Sequence, residues 1–134
     1  MAAAQPVSMP RLAAYGVLTW LVPFLVSIPF VGPDGTPRIP EEIFKSIMIV
    51  VGSGVGAWLL VAVFRRRPHF GHAGLVVGAL WLVINLALDV AILLPLSGMR
   101  LGTYVGDIAL RYLVIVFMAM AVDAVSRDRR PPGT

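Results

Sequence analysis

The sequence predicts an all-α integral membrane protein in which four transmembrane helices form a bundle. Of its 134 residues, 58% are hydrophobic and 13% are charged, whereas soluble domains carry about 25% charged residues. Four apolar stretches each approach the roughly 20 residues that cross a bilayer. Arginines cluster at the ends of these stretches, where the polar faces of a membrane begin. We therefore predict a single four-helix transmembrane domain over residues 1–134.

The first predicted helix covers residues 12–31 and follows a short lead that contains proline. Arg11 is the one cation before an apolar run of spanning length, which favours a retained helix over a cleaved signal peptide. Pro23 predicts a kink, because proline removes a backbone hydrogen bond. Trp20 lies in the middle of the helix, so its indole N–H is expected to find a partner inside the bundle.

The second predicted helix covers residues 41–64 and follows a turn composition at residues 32–40. Two glutamates open it, and the helix dipole favours acids in a first turn. Gly52 and Gly56 have the GxxxG spacing that lets another helix approach closely. Glycine is also common in membrane helices generally, so the spacing favours close packing more than it favours homodimerisation through this face.

The third predicted helix covers residues 73–94 and is expected to be stopped by Pro95, which cannot continue the hydrogen-bond pattern, and by the Ser97–Gly98 turn. The fourth covers residues 103–126. Residues 127–134 read RDRRPPGT and are predicted to form a flexible basic tail.

The positions of the arginines predict an orientation. Arg65, Arg66 and Arg67 connect the second and third helices, and the tail arginines lie at the same end of the bundle. The side richer in basic residues is cytoplasmic in multi-pass proteins. We therefore predict the cytoplasmic (inner) membrane, with the N-terminus and the C-terminus inside. The same three arginines are predicted to contact anionic lipid headgroups.

The two halves of the sequence also show a weak internal likeness. Aligning Gly16 with Gly78 places Ser27 on Asp89, and a longer second loop then places Lys45 on Arg111. Apolar segments align easily by chance, so the absence of any repeat is the competing interpretation. A real repeat would make the halves parallel and related by an axis along the membrane normal. The predicted fold is therefore a four-helix transmembrane bundle, with a possible parallel 2+2 internal repeat.

Ionisable residues interrupt the third and fourth helices. At 1.5 Å per residue, Asp89 lies about 7–8 Å from the outer end of the third helix, and Arg111 lies about 12 Å inside the fourth. An unpaired charge at such depth costs several kcal/mol, so we predict that Asp89 and Arg111 pair. Asp107, four residues before Arg111, is the rival partner. The wider intramembrane polar cluster is predicted to contain Asn85, Asp89, Asp107, Arg111, Ser27, Lys45 and Tyr104.

Two interpretations of this cluster remain open. In the first, it is a buried pair that fixes the helix register. In the second, it lines a vestibule that opens to the outside and binds an ion or a small polar solute. Both are compatible with the sequence.

Enzyme chemistry has no support in the sequence. It contains no cysteine, and no nucleophile–base pair, phosphate loop or set of metal ligands is apparent. His69 and His72 are three residues apart in a connection without a nearby acid, which does not indicate metal. We predict no cofactor and no catalytic residues.

The predicted function is that of an accessory, scaffold or interaction subunit of the membrane. The alternative is an oligomeric transporter or channel for an ion or a small polar solute, built around Asp89 and Arg111. The expected partners are membrane lipids and either further copies of the chain or another membrane protein. The net charge of +4 is attributed to topology and lipid contact rather than to nucleic acid.

The topology gives the first test. Reporter domains fused after Arg67 and after Arg130 should both report a cytoplasmic location, because both sites follow an even number of predicted helices. A fusion placed in residues 32–40 serves as the control and should report the opposite side. A periplasmic signal from either of the first two fusions would contradict the predicted orientation.

Overall fold

The computed structural model describes residues 7–66, 72–98 and 100–128. These residues form helices and the turns that connect them, without any named strand. Four helical stretches are long and apolar enough to cross a membrane. We call them spans one to four: Met9–Phe30, Glu41–Arg65, Ala73–Ser97 and Leu101–Asp128. The predicted all-α fold with four helices of spanning length is confirmed. Arg67, His69 and the tail from residue 129 onward lie outside the described residues.

Span one begins earlier than the sequence indicated. Helix α1 covers Met9–Ser27, and a 3-10 turn, Ile28–Phe30, completes the span. Pro10 lies in the first turn of α1, where its missing N–H has no intrahelical partner to lose. Pro23 lies inside α1, as expected, and faces span two near Gly52.

The connection between spans one and two is tightly hydrogen bonded. The Gly32 N–H donates to the Thr36 carbonyl at 2.8 Å, and the Arg38 N–H donates to the Phe30 carbonyl at 2.7 Å. Gly35 has a φ of 79°, a conformation that glycine adopts without steric cost. Hydrogen bonds from the Thr36 hydroxyl and amide lower the pKa of Asp34. Helix α2, Glu41–Arg65, follows this loop.

Span three contains a π turn. Helix α3 covers Ala73–Leu88, the π turn covers Asp89–Leu93, and helix α4, Leu94–Ser97, completes the span. The Leu94 N–H donates to the Asp89 carbonyl five residues earlier. The span continues through Pro95, so the predicted stop there is wrong, and it ends at the predicted Ser97–Gly98 turn, where Gly98 has a φ of 65°. Pro95 lies in the first turn of α4, directly after the wider turn, where a residue without N–H is tolerated.

Span four is broken rather than continuous. Helix α5 covers Leu101–Asp107, and Ile108 leaves the helical region with φ −123° and ψ −53°. A 3-10 turn, Ala109–Tyr112, leads into helix α6, Leu113–Asp128. Since the break separates Asp107 from Arg111, the expectation that these two side chains stack one turn apart on one helix face does not hold.

The four spans pack as a ring in the order one, two, four, three. The contacts of α1 with α3 advance four residues along both chains at each step, from Leu12 and Trp81 to Trp20 and Asp89, so these helices are parallel. A two-fold axis along the bundle would place spans one and three diagonally, whereas they are neighbours. The 2+2 repeat therefore stays a prediction, without support from this arrangement.

The two ends of the bundle differ in composition. We call the end that carries Arg11, Arg65, Arg66 and Arg127 the basic end, and the end that carries residues 31–40 the loop end. The buried apolar cluster fills the half toward the basic end; its members are Val7, Leu12, Leu59, Leu60, Val63, Phe64, Ala73, Val77, Trp81, Ile115 and Ala119. Large apolar side chains such as Val50, Trp58 and Phe117 point away from the bundle and are 71%, 73% and 68% exposed.

The closest helix contact involves glycines that the sequence analysis did not single out. A Cβ added to Gly74 would lie 2.7 Å from the Ala119 carbonyl, and one added to Gly78 would lie 2.9 Å from the Val116 Cα. Gly52 and Gly56 have only ordinary contacts at 3.8 Å and 3.5 Å. The GxxxG pair that brings two backbones together is therefore on α3 facing α6.

This contact predicts a specific effect of one methyl group. Gly78→Ala should lower the free energy of unfolding by about 1–3 kcal/mol, because the new Cβ overlaps backbone that cannot rotate away. Gly54→Ala is the matched control, since nothing lies within 4 Å of its added Cβ; it should be neutral or stabilising by up to about 1 kcal/mol. Unfolding of the purified protein in detergent measures both. Equal stability of the two variants would contradict the packing.

Candidate functional site

A buried carboxylate, Asp89, is the centre of the polar contacts inside the bundle. Its side chain has no solvent exposure. The Trp20 indole N–H donates to Oδ1 at 2.6 Å, and the Tyr104 hydroxyl donates to Oδ2 at 2.8 Å. Tyr112 also interacts with this carboxylate. Spans one and four therefore each donate a hydrogen bond from a neutral group to a single acid.

The irregular parts of spans three and four position this site. Asp89 is the first residue of the π turn, which follows the regular part of span three. Tyr104 precedes the break at Ile108, and Tyr112 follows it. Both tyrosines can face the same carboxylate because the chain changes direction between them. π turns inside helices are frequent at functional sites.

Span one reaches the site through a regular series of contacts with span three. The Trp81 indole N–H donates to the Leu12 carbonyl at 2.9 Å, and the Trp20 indole N–H donates to Asp89 about two turns further along both helices. The Trp20 ring also stacks on Phe24 with centroids 4.7 Å apart. The expectation that the Trp20 indole finds a partner inside the bundle is met by Asp89.

Asn85 occupies the middle of this series and is fully buried. Its Nδ2 donates to the Trp81 carbonyl at 2.7 Å and to the Thr19 hydroxyl at 2.8 Å, with a longer contact of 3.4 Å to the Gly16 carbonyl. Thr19 in turn donates to the Gly16 carbonyl at 2.6 Å. The Asn85 Oδ1 is buried without a hydrogen-bond partner among the described residues.

Gly16 allows these helices to come close enough for the contacts. A Cβ on Gly16 would lie 2.9 Å from both the Trp81 and the Ile84 side chains. A larger residue would therefore separate α1 from α3 and lengthen the hydrogen bonds on either side. The sequence did not indicate this close contact, because a single glycine such as Gly16 forms no recognisable packing motif.

The predicted pair of Asp89 with Arg111 is wrong. Within residues 7–66, 72–98 and 100–128, no ion pair joins Arg111 to Asp89 or to Asp107. Asp107 instead lies 3.3 Å from the Lys45 ammonium, which also contacts Glu41 at 2.6 Å. An acid at this depth does not need a cation here, because aromatic N–H and O–H groups, which carry no charge, donate hydrogen bonds to the Asp89 oxygens.

The remaining predicted members of the cluster do not form one vestibule. Ser27 donates to the Phe24 carbonyl within its own helix. Lys45 and Asp107 form a half-exposed ion pair at the loop end, with side chains 33% and 43% exposed. Asn85 and Asp89 have no exposed surface. The predicted cluster therefore divides into a buried part and a separate surface ion pair, and the vestibule stays a prediction.

The basic end contains a second acid with a structural role. The Gly74 N–H at the start of α3 donates to Asp123 Oδ2 at 3.0 Å, and Arg127 binds the same carboxylate at 2.8 Å. Asp123 and Arg127, four residues apart, thus form an ion pair, with a helix N-terminus as an additional partner. Arg65 and Arg66 are exposed at this end. In the described part of the chain, no three His, Cys, Asp or Glu side chains are grouped to hold a metal.

Comparison with known proteins adds no assignment. No protein-family model, no curated protein and no solved structure gives a match to this chain. The chemistry of the site is therefore argued from its own residues.

The Asp89 carboxylate ties span one to span four through charge-assisted hydrogen bonds from Trp20 and Tyr104. No Lys, Arg or His of the described residues forms an ion pair with it. The arrangement therefore holds three spans together around one acid.

The hydrogen bonds predict which residues couple energetically. Tyr104→Phe should lower the free energy of unfolding by about 1.5–3 kcal/mol, because it removes one hydrogen bond to a charged group. Combined with Asp89→Asn, its effect should be non-additive by about 0.5 kcal/mol or more. Arg111→Gln combined with Asp89→Asn is the matched control and should be additive. A double-mutant cycle that couples Asp89 to Arg111 and not to Tyr104 would overturn this site.

Proposed function

We propose that the protein is a multi-pass protein of the cytoplasmic membrane, with both termini on the cytoplasmic side, that serves as an accessory, scaffold or interaction subunit. Four helices of spanning length support the membrane part of this proposal. The orientation rests on the arginine bias toward the basic end, since Arg38 and Arg100 are the arginines at the other end.

The observation that carries the proposal is the filled interior of the bundle. The largest buried side chain, Trp81, has no exposure and lies among Leu12, Val77 and Leu60, which are equally buried. A packed core of this kind leaves no room for a solute to pass through one copy. The available surface for interaction is therefore the outside of the bundle.

That outside surface is apolar on several spans. Trp58 on span two, Val83 on span three and Phe117 on span four are all more than 60% exposed. Such surfaces contact lipid acyl chains, other copies of the chain or another membrane protein. Arg65 and Arg66 at the basic end are proposed to contact anionic headgroups, each contributing about 1 kcal/mol.

An oligomeric ion transporter is the second candidate. The observation that favours it is Asp89, whose carboxylate has no counter-cation in ion-pair contact among the described residues. Intramembrane acids of this kind mark ion and proton routes in transporters. A route would have to run between copies, because the interior of one copy is packed.

Site-specific photo-crosslinking in native membranes tests the first proposal. A photoreactive residue is introduced singly at Trp58, Val83 and Phe117, which sample three spans with comparable exposure. An interaction subunit should crosslink to one discrete protein from one or two of these faces, and mass spectrometry identifies it. The other faces serve as internal controls for lipid contact.

Two results would contradict this proposal. The first is crosslinking to lipid alone from all three faces, together with a monomeric mass in mild detergent. The second is ion flux into vesicles that wild type supports and Asp89→Asn does not, which would favour the transporter instead.

A further inference from the structure

One buried side chain, Asn85, has a hydrogen-bond acceptor that no donor of the described residues contacts. Asn85 Oδ1 is buried and has no hydrogen-bond partner in the described part of the chain, although the Nδ2 of the same amide contacts three oxygens. Leaving a buried carbonyl oxygen unsatisfied costs about 1–3 kcal/mol. Turning the amide over does not help, because the oxygen would then face the Trp81 and Gly16 carbonyls. The oxygen therefore points to a donor that another state of the site provides.

Asp89 is placed to be that donor. It follows Asn85 by four residues, and side chains at this spacing lie about 5–6 Å apart between Cβ atoms on one helix face. When ionised, a carboxylate can only accept hydrogen bonds, and Trp20 and Tyr104 both donate to it. When protonated, it gains one O–H donor. A protonated Asp89 would therefore supply the donor that Asn85 Oδ1 lacks among the described residues.

We infer that Asp89 and Asn85 form a reversible proton-binding site inside the bundle, in which Asp89 binds the proton and Asn85 Oδ1 accepts the resulting hydrogen bond. This goes beyond the proposed scaffold function, which requires no change of charge inside the bundle.

The proton exchange balances without any other reactant. A hydronium ion transfers a proton to Oδ2 of Asp89 and becomes water; an O–H bond forms on Asp89, and the carboxylate charge of −1 becomes zero. The indole N–H of Trp20 can only donate, so its hydrogen bond to Oδ1 is kept. The hydroxyl of Tyr104 can rotate, because it serves as donor or acceptor. The new Asp89 O–H is then free to turn toward Asn85.

The groups that face Asp89 decide what else could titrate with it. Span one presents Trp20, which has no acid–base chemistry in this range. Span four presents Tyr104 and Tyr112, one on each side of its break. No Lys, Arg or His within the described residues forms an ion pair with Asp89. A proton bound reversibly at this site is therefore assigned to Asp89.

The sequence offers a single-residue probe for the test, since Asn85 is its only asparagine. The full chain is made with carbon-13 in the asparagine side-chain carbonyl and placed in lipid vesicles. Infrared difference spectra are recorded as the pH is lowered from mildly alkaline to mildly acidic. We expect a protonated carboxyl band to appear and the labelled amide band to move to lower frequency with the same midpoint.

Matched variants assign the bands. Asp89→Asn with unlabelled Asn85 should lose the carboxyl band, whereas Asp107→Asn, which changes the acid paired with Lys45, should keep it. Tyr104→Phe should keep the shift of the labelled amide, because that shift depends on Asn85 rather than on the tyrosine. Asp89→Asn is also the substitution closest in shape to the protonated acid, so it should fold.

Two outcomes overturn the inference, each judged on the carboxyl band that Asp89→Asn removes. Absence of any carboxyl band over the pH range would show that Asp89 does not exchange a proton. A carboxyl band that appears without movement of the labelled amide would show that the acid donates elsewhere and that Asn85 is not its partner.

Discussion

The hydrogen bonds to Asp89 are the constraint on which the polar half of the bundle depends. An ionised carboxylate cannot be buried among apolar side chains unless its oxygens are well satisfied. Trp20 and Tyr104 each supply a donor, and Tyr112 faces the same group. Because these donors belong to spans one and four while the acid belongs to span three, satisfying one side chain fixes three spans relative to one another.

The half of the bundle toward the basic end is held by a different kind of contact. Gly74 and Gly78 let α3 lie directly against α6, and Asp123 closes this contact by binding the first turn of α3. Close packing of this kind depends on shape and dispersion rather than on hydrogen bonds between side chains. The bundle therefore combines a tightly packed apolar half with a polar half whose helices are irregular.

The irregular backbone of spans three and four occurs where the polar contacts to Asp89 are made. A π turn and a helix break both cost regular backbone hydrogen bonds, and such features persist where other contacts compensate. Here the π turn begins at Asp89, and the break lies between the two tyrosines that face it. A straight span four would keep Tyr104 and Tyr112 on one continuous helix, two turns apart, and only one could then reach the same carboxylate.

The sequence predicted the fold well because length and hydropathy decide whether a helix can cross a membrane. It identified Asp89 as central for the same reason, since an acid in an apolar run is costly. The sequence did not predict the partners of Asp89. A cation stands out in an apolar stretch, whereas a tryptophan or tyrosine does not, although its N–H or O–H group can donate to an acid. The sequence failed on the glycines because GxxxG spacing recurs at Gly52, Gly74 and Gly102, and spacing does not show which helix face is covered.

The indole N–H resonances of the three tryptophans test the central claim most directly. Trp20 donates to Asp89, Trp81 donates to a backbone carbonyl, and Trp58 points away from the bundle. With nitrogen-15 in the indoles, Asp89→Asn should move the Trp20 resonance and leave those of Trp81 and Trp58 nearly unchanged. A Trp20 resonance that does not respond to Asp89→Asn would contradict the account.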